Sequence, residues 1–127
     1  MPHIYIEHTA GVAANVNWEC LVQELHRATA EVAGLRLDLM KTRILRIEQY
    51  FVGDCSKIEE FVSLKLYTVS GRAGDDSRRT AIAQTILKVV VAALGADLEE
   101  SALDVSVQIT ESPGAGYARL RSATLRQ

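Results

Sequence analysis

The segment IYIEHTAG at residues 4–11 is answered by LKLYTVSG at residues 64–71, an offset of 60. At that offset Gly11 meets Gly71, Ala13 meets Ala73 and Val22 meets Ile82. Around each segment the same order recurs: strand, glycine turn, capped helix, glycine stop, strand. Such recurrence is the signature of a duplicated β-α-β unit. A crossover helix makes the two strands it joins parallel, with a right-handed connection. Few folds accept two such units in 127 residues, and that length points to one domain spanning 1–127.

The elements follow from periodicity and caps. Ile4 and Ile6 alternate with Tyr5 and Glu7 as a first strand that Gly11 ends. Asn17 is the expected N-cap of a helix, with Val16 and Leu21 as a hydrophobic staple. Trp18, Leu21, Val22, Leu25, Ala28, Thr29 and Val32 form its apolar stripe, and Gly34 stops it. MKTRILRI, from Met40 to Ile47, alternates as a second strand, and residues 50–56 read as a loop or hairpin excursion. A third strand runs from about Phe61 to Val69, with Val62, Leu64 and Leu66 on one face. SGRAGDD, residues 70–76, is a loop whose Asp75 or Asp76 caps a second helix. That helix carries Ile82, Ile86, Val89, Val90, Ala93 and Leu94 inward and stops at Gly95. Val105, Val107 and Ile109 make the last strand, before an ESPGAG turn. In the tail, Tyr117, Leu120, Thr124 and Leu125 favour an extended or docked edge segment.

Two helices with one apolar face each cover one face of a four-stranded sheet. Tyr5, Lys41, Arg43, Leu45, Ser63, Lys65, Tyr67, Ser106 and Gln108 are expected on the other. That face is mixed, suited to solvent or to burial in a symmetric oligomer.

Composition excludes several classes. Hydrophobic residues at 48% rule out a disordered chain. A net charge of −2 argues against a general nucleic-acid binder. Cys20 and Cys55 form neither a zinc pattern nor CxxC and read as free thiols of a reducing compartment. No signal-peptide pattern or membrane-length apolar run is visible, so the expectation is a soluble cytoplasmic protein without a membrane or nucleic-acid partner.

The candidate chemistry begins at Pro2. Removal of Met1 would free its secondary amine, and a strand starting immediately afterwards would hold that nitrogen in place. An α-amino group titrates near about 8, and burial or neighbouring cations lower that value. Pro2 at the mouth of a cationic pocket could thus serve as a neutral general base near pH 7. A Met-Pro start by itself is unspecific. Arg72 lies in a glycine-flanked loop before a helix, with Arg78 and Arg79 in the first turn, suited either to holding a carboxylate or to a surface ion-pair cluster. Lys41 and Arg43, two apart on a strand, face the same way and meet solvent, acidic partners such as Glu7, Glu48 and Glu60, or an anion. His3 lies beside Pro2 by adjacency. His26 is expected on a solvated helix side, and His3, His8 and His26 form no metal triad.

Taken together, the MPH start, the duplicated β-α-β order, the KTRI strand, the LKLYTVSGR segment and the length resemble the tautomerase superfamily, and within it the 5-carboxymethyl-2-hydroxymuconate isomerase family. The resemblance implies an α+β, ferredoxin-like protomer, its four-stranded mixed sheet carrying two helices on one face, assembled as a homotrimer around a central axis. It implies Pro2 as acid/base and the family's glycine-arginine loop at Gly71 and Arg72. The family's cationic strand falls on Lys41 and Arg43, with Lys41 where the family has arginine; lysine loses the bidentate fork. The implied substrates are unsaturated 2-hydroxy or 2-oxo carboxylic acids, and the implied chemistry needs no cofactor because the conjugated acid is its own electron sink. A trimeric homologue that only binds such an acid, or is structural, is the alternative.

Overall fold

Both β-α-β units form in the order the repeat predicts. The computed structural model describes residues 2–57, 59–69, 71–95, 103–120 and 122. Strand β1 (His3–Thr9) leads through a 3-10 turn (Ala10–Asn15) into helix α1 (Trp18–Ala33). A second short turn (Leu37–Leu39) then opens β2 (Lys41–Ile47). The second unit comprises β3 (Glu60–Val69), α2 (Asp76–Ala93) and β4 (Leu103–Ser112). Sheet order is β2-β1-β3-β4. β1 is parallel to β2 and β3 to β4, while the central pair β1 and β3 is antiparallel. This is the mixed four-stranded, ferredoxin-like arrangement expected of the duplication.

The local signals act as their chemistry requires. The Asn17 side chain accepts from the Cys20 backbone N–H at 3.1 Å, and that of Asp75 accepts from Arg78 N–H at 2.9 Å, each satisfying one orphan donor of a first turn. Gly34 ends α1 in the left-handed region at φ 66°, where any Cβ is strained. On α1 the fully buried positions are Leu21, Leu25, Thr29 and Ala33; on α2 they are Ile82, Ile86 and Val90. These packed residues join Ile4, Ile6, Val62, Leu64 and Leu66 in one core between helices and sheet. Each such buried aliphatic side chain contributes about 1.5–3 kcal/mol of hydrophobic stabilisation.

Several expectations shift by a residue or more. The strands align at an offset of 60, but the buried helix positions align Leu21, not Val22, with Ile82. The second connection (70–75) is shorter than the first (10–17), yet the buried stripe begins later in α2, at Ile82, than in α1, at Leu21. Ala93, the last residue of α2, is exposed rather than inward, one position before the buried Leu94. Glu111 and Ser112 belong to β4, paired with Thr68 and Val69, so the turn begins at Pro113. Tyr117 and Leu120 are exposed, and the described residues after β4 form no strand. Met1, Ser70, Thr124 and Leu125 lie outside the described residues. The expected open face is present: Tyr5, Lys41, Arg43, Leu45, Ser63, Lys65, Tyr67, Ser106 and Gln108 share one register phase, opposite the core.

One polar knot holds the β1–β3 pair at its far end. The Thr9 hydroxyl is fully buried; it accepts from Phe61 N–H at 3.1 Å and donates to the Glu60 carboxylate. The same carboxylate accepts from Gly11 N–H at 3.2 Å and Tyr50 O–H at 2.7 Å. Donation to Glu60, more than burial, raises the Tyr50 phenol above its usual pKa. A Cβ on Gly11 would lie 2.5 Å from the Glu60 carboxylate, so the turn needs glycine for the knot to close. Glu60→Ala deprives the buried Thr9 hydroxyl and the Gly11 amide of their acceptor. It should cost about 1–3 kcal/mol, read by urea unfolding, with the same sheet signal in circular dichroism.

Candidate active site

Pro2 is buried just ahead of β1, and its carbonyl accepts from Lys41 N–H at 3.2 Å, which extends the β1–β2 pairing by one step. It lines a cavity of about 510 Å³ at the end of the sheet where β1 begins and β3 finishes. The cavity is walled by Gly34, Leu35, Arg36 and Leu39 from the segment after α1, and by Thr68 and Val69 from β3. Arg72 from the following loop and Tyr117 and Arg119 from the chain after β4 complete it. The fold therefore brings Pro2 and Arg72 to one site although the whole first β-α-β unit and β3 lie between them in the chain.

The charge of the cavity is one-sided. Arg36, Arg72 and Arg119 line it, and among the described residues no carboxylate does. Arg36 is held by Asp38, with Nε and Nη2 bonds of 3.1 and 2.8 Å. Among the described residues no side-chain hydrogen bond or ion pair engages Arg72 or Arg119. Leu35, Leu39 and Val69 supply an apolar wall. A carboxylate entering here meets guanidinium groups able to bind it bidentately, while a hydrocarbon backbone lies against the apolar side.

The loop that presents Arg72 is fastened from behind. Arg72 N–H donates to Val69 O at 3.1 Å, and Gly71 N–H donates to Glu111 at 3.3 Å. Arg79 donates to Gly74 O at 2.7 Å and to Glu111 at 3.3 Å, and pairs with Asp76. Gly74 sits at φ 78°, and a Cβ there would fall 2.6 Å from Arg78 Cδ. Arg78 reaches back to Ala33 O at 2.8 Å, tying α2 to the end of α1. Arg78 and Arg79 thus fasten the loop and leave Arg72 as the cation offered to the cavity.

Lys41, Arg43 and His3 do not line this cavity. They stand on the open sheet face, where Lys41 is opposite His3 and Arg43 opposite Tyr5. Arg43 lies over the Tyr5 ring, 4.3 Å from its centroid, a cation–π contact, and Tyr5 meets Tyr67 edge-on at 5.3 Å. Arg43 Nη2 donates to His3 Nδ1 at 3.2 Å, while its Nη1 is buried with no partner among the described residues. Burial first, then Arg43 and Lys41, lower the His3 pKa, consistent with a neutral ring that accepts from Arg43. Of the expected counter-charges, Glu48 pairs with Arg46 at 2.8 Å, whereas Glu60 belongs to the Thr9 knot.

Sequence reasoning missed Arg36, Arg119 and Thr68. Arg36 and Arg119 carry no motif and reach the cavity through chain reversal and the path after β4. Thr68 looks like one more alternating strand residue; it is 3% exposed, and its hydroxyl has no hydrogen-bond partner among the described residues. An unpaired buried hydroxyl costs about 1–3 kcal/mol, an uncommon expense beside a cavity. Two smaller recesses of about 260 and 280 Å³ surround Phe51 and Val52, and neither contains Pro2 or an arginine. Among the described residues no group of His, Cys, Asp and Glu could hold a metal ion, and no helix is long and apolar enough to cross a membrane. Cys20 and Cys55 are free and exposed.

His26, expected in solvent, is instead half-buried against β2, with Nε2 2.5 Å from Thr42 Oγ1. Burial lowers its pKa from 6.5. The folded ring then binds a proton less readily than the unfolded one, so its contribution to stability is present above about pH 6.5 and is lost as pH falls through the lower folded value. The unfolding free energy should decline between pH 7 and 5, and His26→Gln should flatten that decline in paired denaturant titrations.

The family pattern described as 5-carboxymethyl-2-hydroxymuconate isomerase matches residues 2–123. The fold is similar to that of a 5-carboxymethyl-2-hydroxymuconate isomerase from Deinococcus radiodurans R1, with a TM-score of 0.84 at 21% identity over 98% of this chain and 92% of that one. It is also similar to a solved 5-carboxymethyl-2-hydroxymuconate delta-isomerase, with a TM-score of 0.75 at 18% identity over 100% of this chain and 93% of that one. A macrophage migration inhibitory factor-like protein from Entamoeba histolytica gives 0.66 at 18% identity, covering 94% and 96%. At these identities the likeness is one of fold. No curated protein sequence matches.

Proposed function

This chain belongs to the 5-carboxymethyl-2-hydroxymuconate isomerase family of the tautomerase superfamily, and from that premise we propose that it moves a proton within an unsaturated 2-hydroxy or 2-oxo (di)carboxylic acid, such as 5-carboxymethyl-2-hydroxymuconate, with Pro2 as acid and base. The family's general chemistry is proton-shuttling isomerisation of small unsaturated acids. The single observation that carries the finer reading is the shared cavity: Pro2 is buried in the same wall system as Arg72, with no carboxylate among the described residues lining it.

In this reading removal of Met1 frees the Pro2 nitrogen. Burial and the three arginines disfavour its protonated form, which keeps it a base near neutral pH. The neutral nitrogen takes the proton of the 2-hydroxyl, or of the carbon next to the carbonyl. The electron pair left behind delocalises along the conjugated chain as a dienolate. Protonated Pro2 then returns one proton to a carbon further along, so the product is an isomer and the amine is regenerated. Arg72 holds a carboxylate and disperses the negative charge as it grows. Arg36 and Arg119, on the same cavity, take the distal carboxylate.

The working unit in this reading is a homotrimer with the open sheet faces turned toward a common axis. Support comes from that face itself: Tyr5, Tyr67 and the half-exposed Leu45 stand among Lys41, Arg43, His3 and Lys65, and Arg43 Nη1 has no partner there among the described residues. His3 and Arg43 then serve assembly more than substrate. Sedimentation should give a mass near three times 13.9 kDa; a monomer over the working concentration range would remove the trimer.

Intact mass of protein from its native host should lack Met1. In such protein Pro2→Ala should lower turnover of a 2-hydroxymuconate-type acid at least about tenfold. Arg72→Ala should mainly raise KM, by about tenfold for the loss of about 1.4 kcal/mol of charged contact. Equal turnover in Pro2→Ala protein would end the proline mechanism. Tight diacid binding without turnover in the processed protein would assign the cavity to a binding protein instead.

A further inference from the structure

We propose that Thr68 is the positioning residue of the Pro2 nitrogen: its buried, unpartnered hydroxyl accepts one N–H of the freed amine and so aims the other position of that nitrogen into the cavity. This rests on the reading of Pro2 as acid and base, and deepens it.

Four observations converge. The β1–β3 register pairs Ile4 with Leu66 and His3 with Tyr67; carried one residue outward it sets Pro2 opposite Thr68. Residues directly opposite in an antiparallel pair bring their Cβ atoms within about 4.5–5.5 Å, close enough for a threonine oxygen and a ring nitrogen to meet. Alternation gives Pro2 and Thr68 the same sheet face as Ile4 and Leu66, and both line the 510 Å³ cavity. Finally, Thr68 is 3% exposed and its Oγ1 finds no partner among the described residues. Thr9, on the same sheet, is satisfied by Phe61 and Glu60, whereas Thr29 of α1 shares the lack of a partner but does not line the cavity. The amide nitrogen of an unprocessed Met-Pro bond carries no hydrogen. The partner that Thr68 lacks comes into being when Met1 is removed.

A secondary amine has one N–H and one lone pair when neutral, and two N–H bonds when protonated. If one N–H is always committed to Thr68, the remaining site on nitrogen faces the cavity in both states. The proton taken from the substrate enters at that site and leaves from it, while the N–H on Thr68 never exchanges during turnover. Hydrogen bonds from a charged donor are the stronger ones, so the hydroxyl favours the protonated amine somewhat over the neutral one.

The test uses processed protein carrying ¹⁵N-proline, with Pro2 titrated by NMR and the pH–rate profile measured beside it. Thr68→Val keeps the shape and removes the oxygen. It should lower the Pro2 pKa by about half a unit to one unit and lower kcat about tenfold with KM little changed. Thr68→Ser should restore both. Because Val replaces a hydroxyl that is unpaired while Met1 is retained, thermal stability of the unprocessed chain should hold or rise; if Val does not fold, Thr68→Ala takes its place in the same comparison. Thr68→Val with a wild-type titration and wild-type kcat, while Pro2→Ala is inactive, would overturn the role of Thr68 and leave that of Pro2 standing. Equal damage in the Val and Ser variants would overturn it too, by tracing the effect to shape. Full activity in Pro2→Ala would remove the base and this proposal together.

Discussion

The antiparallel pairing of β1 with β3 is the constraint on which everything else depends. It joins two β-α-β units that each make only parallel contacts of their own, and it sits at the centre of the sheet. Its far end is locked by Thr9 and Glu60. Its near end carries the start of the chain into the space between the segment after α1 and the loop after β3. A slip of one residue would turn Ile4, Ile6, Leu64 and Leu66 out of the core. The burial that fixes the register therefore also fixes where Pro2 stands.

The cavity is then a product of the two connections that leave the same end of the sheet. α1 stops at Gly34 and the chain doubles back through Arg36 to β2. β3 runs out through Thr68 and Val69 into the Gly71–Gly74 loop. Neither connection is free to wander, since Asp38 holds Arg36 while Arg79 and Glu111 hold the loop. Arg78 bridges the two by reaching Ala33 O. Three guanidinium groups line the cavity, and among the described residues no carboxylate does. Such a site is preorganised for a negatively charged guest.

The opposite face of the sheet shows a different economy. Arg43, Tyr5, Tyr67 and His3 pack on one another and satisfy most, but not all, of their polar atoms. The same strand, β2, looks from its sequence like a source of substrate-binding cations, yet its charged residues point away from the cavity, because Lys41 and Arg43 share a phase opposite the core. Period-two alternation settles which side a side chain takes relative to its neighbours. It does not say on which side a ligand waits.

The sequence by itself determined the repeat, the cap at Asn17, a second cap narrowed to Asp75 or Asp76, the stop at Gly34, the strands and the composition of the open face, because each of these is written in spacing over a few residues. It also singled out Pro2 and Arg72, one by its place before a strand and the other by its glycines. Only tertiary structure decided that these two share a cavity, that Arg36 and Arg119 join them, that His26 is tucked against Thr42, and that Arg78 and Arg79 are fasteners. The offset of 60 holds for the strands and not for the buried stripes of the helices, so Leu21 and not Val22 is the counterpart of Ile82. The physical reason is common to all of them. Local pattern encodes which face of an element is apolar, whereas a polar site is made by residues from separate elements whose meeting is set by strand order, register and the paths of connections.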